Sequence, residues 1–314
     1  MPTIPIEILK ESYQLRSTFF YSKLRSHDYF NLFALIQNLS SIEGSKLNWS
    51  QREQWKISDT AWSVLEANKL PPMIVFAHPK ILQLHPSFLK YYRGVSMLSQ
   101  KGLQTITGVA SVKRIESGMV SPGTLKSEII GKLISSINEV ISLVVSLSVE
   151  INENKIQGMM FATAGVTIDG SWRNAVGIEG ERVIRSIVLR ELVRHNEVSS
   201  ISDKQNRTTP MNEIDLSGIL EVIDNARSVN LVNGYSLLFG SEPDVTMLND
   251  SGDIVGAMEI KAGLDPAGAL ERLGAIFKSF ENTLAEYPDA VTILVASCIT
   301  DEVESRLGST MLVK

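Results

Sequence analysis

The stretch Glu242-Pro243-Asp244-Val245-Thr246-Met247-Leu248, followed after a polar turn by Ile254-Val255-Gly256-Ala257-Met258-Glu259-Ile260-Lys261, decides how the chain is read. It sets an aspartate, a glutamate and a lysine inside two short apolar runs of strand-like composition. Burying such groups is unfavourable unless they are paired or hold a metal ion. The turn makes the geometry predictable. With Ser251-Gly252 at the tip, Asp250 faces Asp253, and the same register carried outward puts Asp244 directly opposite Glu259. Opposite residues of an antiparallel pair share a face, with Cβ atoms about 4.5–5.5 Å apart. Lys261, two positions beyond Glu259, lies on that face as well. A loop from Asp250 to Asp253 preserves the register, whereas an odd-numbered loop spoils it.

Two carboxylates this close repel, and one takes up a proton unless a cation sits between them. A Mg²⁺ ion suits the pair, because it takes oxygen ligands and leaves positions for water and a phosphate. Lys261 is then placed to orient an attacking water and offset charge on the phosphate. This is an arrangement for metal-dependent phosphodiester hydrolysis.

The elements around the hairpin are also legible. Upstream, a helix opens at Gly177-Ile178-Glu179-Gly180-Glu181-Arg182 and reaches His195, with Glu181 in line with Ile184, Val188 and Leu192. A polar segment covers 196–212, a helix runs from about Glu213 to Ala226, and a strand from Val229 to Phe239 leads into the hairpin. Downstream, Asp265 caps a helix with Pro266 at its first position. Leu270, Leu273, Phe277, Phe280 and Leu284 form its stripe, and Val291–Ala296 is a buried strand.

The first part of the chain reads as mainly helical. Phe19, Phe20, Tyr21, Tyr29, Phe30 and Phe33 recur at helical spacing and are expected in the core. Pro71-Pro72 leads into a short strand, Met73–Ala77, and residues 102–123 read as a boundary or loop. A helix is expected from about Leu125 to Ile151, its apolar side suited to a core or a dimer interface. The expected division is a helical region, 1–120, followed by an α/β mixed-sheet core, 121–314.

The hydrophobic fraction of 44% and charged fraction of 21% are those of a globular protein. The single cysteine, Cys298, rules out an internal disulfide and points to a reducing compartment. The N-terminus has no basic start and no apolar signal core, and Lys132, Asn138 and Glu139 interrupt the most apolar stretch. A cytoplasmic location is expected. A net charge of -5 argues against a non-specific nucleic-acid coat but not against a DNA enzyme, whose bound face alone must be positive. Histidines 27, 78, 85 and 195 are scattered without zinc-site spacing. There is no phosphate-binding Gly-Lys-Ser/Thr loop and no Gly-x-Ser-x-Gly elbow.

Pro243-Asp244 with Glu259-x-Lys261 and an acid on the preceding helix resembles the PD-(D/E)xK nuclease superfamily, over roughly 177–297. Glu153-Asn154-Lys155 repeats the second half of the motif without the first, and Pro288-Asp289 repeats the first without the second. More narrowly, Ser241–Asp244, the run from Glu259 to Gly274, and Pro71–Pro79 look like the XcyI-like restriction endonucleases. The resemblance implies a mixed sheet flanked by helices, with Asp244 and Glu259 binding Mg²⁺ and Lys261 as catalytic lysine. A helix glutamate often completes such sites; Glu181 matches best and Glu179 competes with it. It also implies a type II restriction endonuclease acting on double-stranded DNA as a homodimer, at a palindromic GC-rich site of the CCCGGG type, with a DNA methyltransferase as genetic partner. Arg93, Lys101, Lys113, Arg114, Arg173 and Asn174 stand in polar or Gly-rich settings and are the candidate DNA contacts. The alternatives are a structure-specific repair or recombination nuclease, and an inactive DNA-binding protein on the same fold.

Overall fold

The structure, a computed structural model, describes residues 4–148, 150–266 and 268–309. It divides into two compact units, one of residues 15–171 and one of residues 1–14 with 172–314. The boundary expected at 120 falls inside the first of these.

The helices up to this division are α1 (Ile6–Ser26), α2 (Tyr29–Glu43), α3 (Asp59–Ala67), α4 (Pro72–Val75), α5 (Pro79–Leu84), α6 (Leu89–Val95), α7 (Gln100–Thr107), α8 (Val112–Glu116) and α9 (Ser127–Ser146). In the 15–171 unit α9 is the central element and packs against α3, α5 and α7. Ile130, Leu133, Ile134, Ile137, Ile141 and Val145 recur at the i, i+3, i+4 spacing of one helix face, and all are buried. By length and composition alone α9 could cross a membrane, but this face belongs to the apolar core. It starts two residues later than the sequence predicts and ends at Ser146.

Three expectations fail here for physical reasons. Met73–Val75 is a turn of helix, not a strand. Pro72 fixes its first position, and a short wholly buried run carries no periodicity to separate the two forms. Ala77, just beyond it, has no strand partner and bonds instead to one buried side chain. Its N–H donates to Asn138 Oδ1 (2.8 Å), and its carbonyl accepts from Asn138 Nδ2 (3.0 Å). Residues 102–123, expected as a loop, hold most of α7 and all of α8. Among the aromatics, Tyr29 and Phe33 are buried, but Tyr21 and Phe30 are exposed and Phe19 and Phe20 are half-buried. Arg16 lies over Phe20 and Lys23 over Phe19, so those rings stack with cations rather than enter the core.

Helix α10 (Glu153–Arg194) runs through 42 residues and begins well before Gly177, where the sequence suggested that a helix opens. Glycines 158, 165, 170 and 177 lie within it with no neighbour near the place of a Cβ. Each costs about 1 kcal/mol of helix propensity relative to alanine without breaking the helix.

Seven strands form one sheet: β1 (Val198–Asp203), β2 (Thr208–Pro210), β3 (Ala226–Leu231), β4 (Ser236–Phe239), β5 (Val245–Leu248), β6 (Ile254–Lys261) and β7 (Val291–Ala296). Their spatial order is β2-β1-β3-β4-β5-β6-β7. All pairs are antiparallel except β6–β7, which is parallel and joined through α12 (Ala269–Glu286). The fold is thus mixed α/β, as expected. α10 contributes Ile184, Val188, Leu189 and Leu192 to the apolar cluster that includes Val229, Leu237, Val245 and Ile260. Leu273, Ile276 and Phe280 of α12 pack with Ala257 and with Val303 of α13 (Asp301–Gly308). Ala257 and Ile260 are three apart on β6, so these clusters lie on opposite faces of the sheet.

The β1–β2 hairpin replaces the expected polar loop. Its polar side chains pair across strands, as in Ser202 Oγ with Thr208 Oγ1 (2.8 Å) and Asn230 Nδ2 donating to Ser200 Oγ (2.9 Å). The single strand expected from Val229 to Phe239 is the β3–β4 hairpin, turning at Asn233-Gly234 with Gly234 at φ +86°. The expected Glu213–Ala226 helix shrinks to α11 (Ile219–Asn225), preceded by two 3₁₀ turns. α12 starts at Ala269 rather than after Asp265, whose carbonyl accepts from Arg272 Nη2 (2.8 Å). Ala267 lies outside the described residues.

Replacing Asn138 with leucine leaves the buried N–H and carbonyl of Ala77 unsatisfied. We expect a loss of about 2–4 kcal/mol in urea unfolding, whereas leucine at the adjacent, exposed Glu139 changes stability by less than about 0.5 kcal/mol.

Candidate active site

The β5–β6 hairpin has the register expected at its open end, reached by a different route. Val245 pairs with Met258, Thr246 with Ala257 and Met247 with Gly256, which sets Asp244 opposite Glu259. At the tip, however, Leu248 pairs with Ile254, a register one residue out. Asn249 N–H donates to the Asp253 carbonyl and Gly252 N–H to the Asn249 carbonyl, with Gly252 at φ +87°. The tip is therefore the odd-numbered loop that should have turned the acids to opposite faces. A β-bulge at Val255 adds one residue to β6 and restores the parity.

Asp244 and Glu259 are each 3% exposed. Asp244 Oδ2 accepts from the Ile260 N–H (2.7 Å), which locks the carboxylate to the backbone of β6. Lys261 Nζ donates to both acids, at 2.5 Å to Glu259 Oε2 and 3.3 Å to Asp244 Oδ2. Burial works against the Lys261 charge, but the Glu259 hydrogen bond and the two nearby carboxylates outweigh it and raise its pKa above the ordinary lysine value. Glu259 Oε1 is buried with no hydrogen-bond partner among the described residues.

α10 brings a third acid. Burial and the charge of Asp244 raise the Glu181 pKa, with a smaller push from Glu259, while Arg185 and Lys261 oppose it. Glu179, its competitor, is exposed and pairs with Arg182 (3.6 Å). Of the two glutamates, the structure brings Glu181 to Asp244, Glu259 and Lys261.

Gly180 is the residue that permits this approach. A Cβ built on it would lie 2.1 Å from the Cβ of Ala262, one residue past Lys261. Only glycine lets α10 lie this close to the end of β6. The sequence places Gly177 and Gly180 at a helix opening, and nothing in that spacing announces the close approach to Ala262. Arg185, one turn beyond Glu181, was missed altogether; it bonds to Glu181, to Gly240 and to the Asp244 carbonyl.

Of the candidate DNA contacts, Arg93 is withdrawn. It is 1% exposed, makes a two-pronged pair with Glu116 (Nε–Oε1 2.5 Å, Nη2–Oε2 3.2 Å) and donates to the Leu98 carbonyl. A buried, paired guanidinium holds α6 to α8 and is not available to a base. Lys101 on α7 and Lys113 and Arg114 on α8 are exposed in the helical unit. Arg173 and Asn174 are exposed on α10 in the sheet-containing unit.

A profile of the XcyI restriction endonuclease family matches residues 34–311. The chain belongs to this family. It is accordingly a nuclease, a hydrolase acting on DNA, and the likeness read from Ser241–Asp244 and Glu259–Gly274 is borne out. No curated protein matches the chain.

The donors present fit a hard divalent cation. Both buried side chains offer oxygen, and Glu259 Oε1 has no hydrogen-bond partner among the described residues. No group of three or more His, Cys, Asp or Glu side chains suited to a metal occurs among the described residues. A two-carboxylate site suits an ion such as Mg²⁺ that keeps several of its waters.

Substituting Gly180 with alanine forces α10 away from Ala262. We expect a loss of about 1–3 kcal/mol in thermal or urea unfolding together with reduced DNA cleavage, and recovery of both in the double variant Gly180→Ala/Ala262→Gly.

Proposed function

We propose that the protein is a type II restriction endonuclease that cuts double-stranded DNA at a specific sequence and depends on Mg²⁺. The observation that carries this reading is the pair of buried, adjacent carboxylates bridged by one lysine. Asp244 and Glu259 would hold the ion beside the scissile phosphate. Bound there, it would supply a Lewis acid for the phosphoryl oxygens and lower the pKa of water.

The side chains supply the rest. Lys261 orients the attacking water and offsets charge growing on the phosphate. Glu181 supports the site with a third carboxylate near Asp244. Hydrolysis leaves a 5′-phosphate and a 3′-hydroxyl, as the resemblance to PD-(D/E)xK nucleases implies. Lys101, Lys113 and Arg114 of the helical unit are candidate DNA contacts, as are Arg173 and Asn174 of the sheet-containing unit. A homodimer matches the two-fold symmetry of a palindromic site, which we place in the GC-rich CCCGGG class. The enzyme works in the cytoplasm, paired genetically with a DNA methyltransferase that protects the host sequence.

Incubation with phage DNA and Mg²⁺ tests this reading. We expect discrete fragments from the wild type, none after chelation of the metal, and a rate lower by at least about 10²-fold for Lys261→Ala. A smear, or cutting confined to junctions, favours a repair or recombination nuclease instead. No cutting by the wild type on any duplex sinks the catalytic assignment.

A further inference from the structure

Arg185 holds the two halves of the site together. A single nitrogen, Nη2, donates to Glu181 Oε2 (3.0 Å), to the Gly240 carbonyl (2.9 Å) and to the Asp244 carbonyl (2.8 Å). Its guanidinium carbon lies 5.1 Å from the centre of the Phe239 ring, at the end of β4. These contacts reach both ends of the 240–244 turn, whose closing bond runs from Gly240 N–H to the Asp244 carbonyl (3.2 Å). Arg185 therefore ties the backbone that carries Asp244 to the helix that carries Glu181.

The contact geometry is poorly suited to mere stabilisation. The Nε of Arg185 is buried without a hydrogen-bond partner among the described residues, a cost that an apolar side chain stacked on Phe239 would avoid. What only a guanidinium provides here is a flat cation on the ring with an N–H edge aimed at one carboxylate and two carbonyls. The side chain does not touch Lys261 or Glu259 in any described hydrogen bond or ion pair.

We propose that Arg185 is a positioning residue of the nuclease site, fixing the Asp244 turn and the Glu181 carboxylate at working separation; this rests on the nuclease reading above. It acts through these two acids. Its loss lowers the rate of the chemical step and leaves DNA affinity in place.

The test compares the full-length wild type, Arg185→Ala, Arg185→Lys and Glu181→Gln in cleavage of a duplex under Mg²⁺, with melting temperatures recorded alongside. Misplacing reacting groups by about 1 Å costs on the order of 10²-fold, so Arg185→Ala should lose roughly that in kcat. Its KM for DNA should stay within about threefold of the wild type. Millimolar methylguanidinium should restore about tenfold of the rate to Arg185→Ala and none to Glu181→Gln. Arg185→Lys, which keeps the charge and the donors but not the plane, should fall between, and it decides the matter if the alanine variant does not fold. Wild-type kcat in Arg185→Lys and Arg185→Ala overturns the proposal. So does a loss that appears in KM, or a lowered melting temperature with no rescue. If the wild type itself cuts no DNA, the nuclease reading fails and this inference falls with it.

Discussion

An excess of buried negative charge governs this site. Asp244 and Glu259 are taken out of water side by side, with Glu181 close enough for Asp244 to raise its pKa. Among the described residues, one ammonium, Lys261, and one guanidinium, Arg185, bond to these three carboxylates. Removing Asp244 and Glu259 from water carries a penalty of several kcal/mol each, recovered only through close opposite charge and full hydrogen bonding. That compensation is incomplete, because Glu259 Oε1 has no hydrogen-bond partner among the described residues. An under-neutralised oxygen cluster is an attractive place for a hard divalent ion, and family membership gives such an ion a reason to be there.

The remainder of the sheet-containing unit can be understood as support for that cluster. Antiparallel pairing from β1 to β6 fixes the register, and the bulge at Val255 corrects it after an odd-numbered turn. The parallel β6–β7 pair and α12 then bury the strand that bears Glu259 and Lys261. On the other face α10 reaches the end of β6 only because residue 180 has no side chain. Arg185 joins that helix to the turn before β5. Packing, register and a single glycine place three acids that no short motif places alone.

The site was more legible in the sequence than the fold around it. A period of two and a short turn suffice to set Asp244 opposite Glu259, because parity survives a loop extended by one residue when a bulge adds another. The bulge itself left no mark: Val255 is as good a strand residue as its neighbours. Asn233-Gly234 is a hairpin-type pair inside the run from Val229 to Phe239, which reads as one strand because of the apolar residues on either side. The continuous α10 was hidden by its glycines, which read as punctuation although a helix tolerates them. Ala77 illustrates the limit of local pattern. Its backbone partner is Asn138, far along the chain, and nothing near Ala77 announces it. Arg93 failed for the same reason, since its setting looked polar while Glu116 drew it into the core.

We propose that Asp244 and Glu259 are buried together to hold a divalent cation. Calorimetric titration of Mn²⁺ into the DNA-free protein tests it without relying on cleavage. Saturable binding is expected for the wild type and is lost in both Asp244→Asn and Glu259→Gln, with each variant still folded. Binding that persists unchanged in the two variants, or no binding by the wild type with or without duplex DNA, would contradict it.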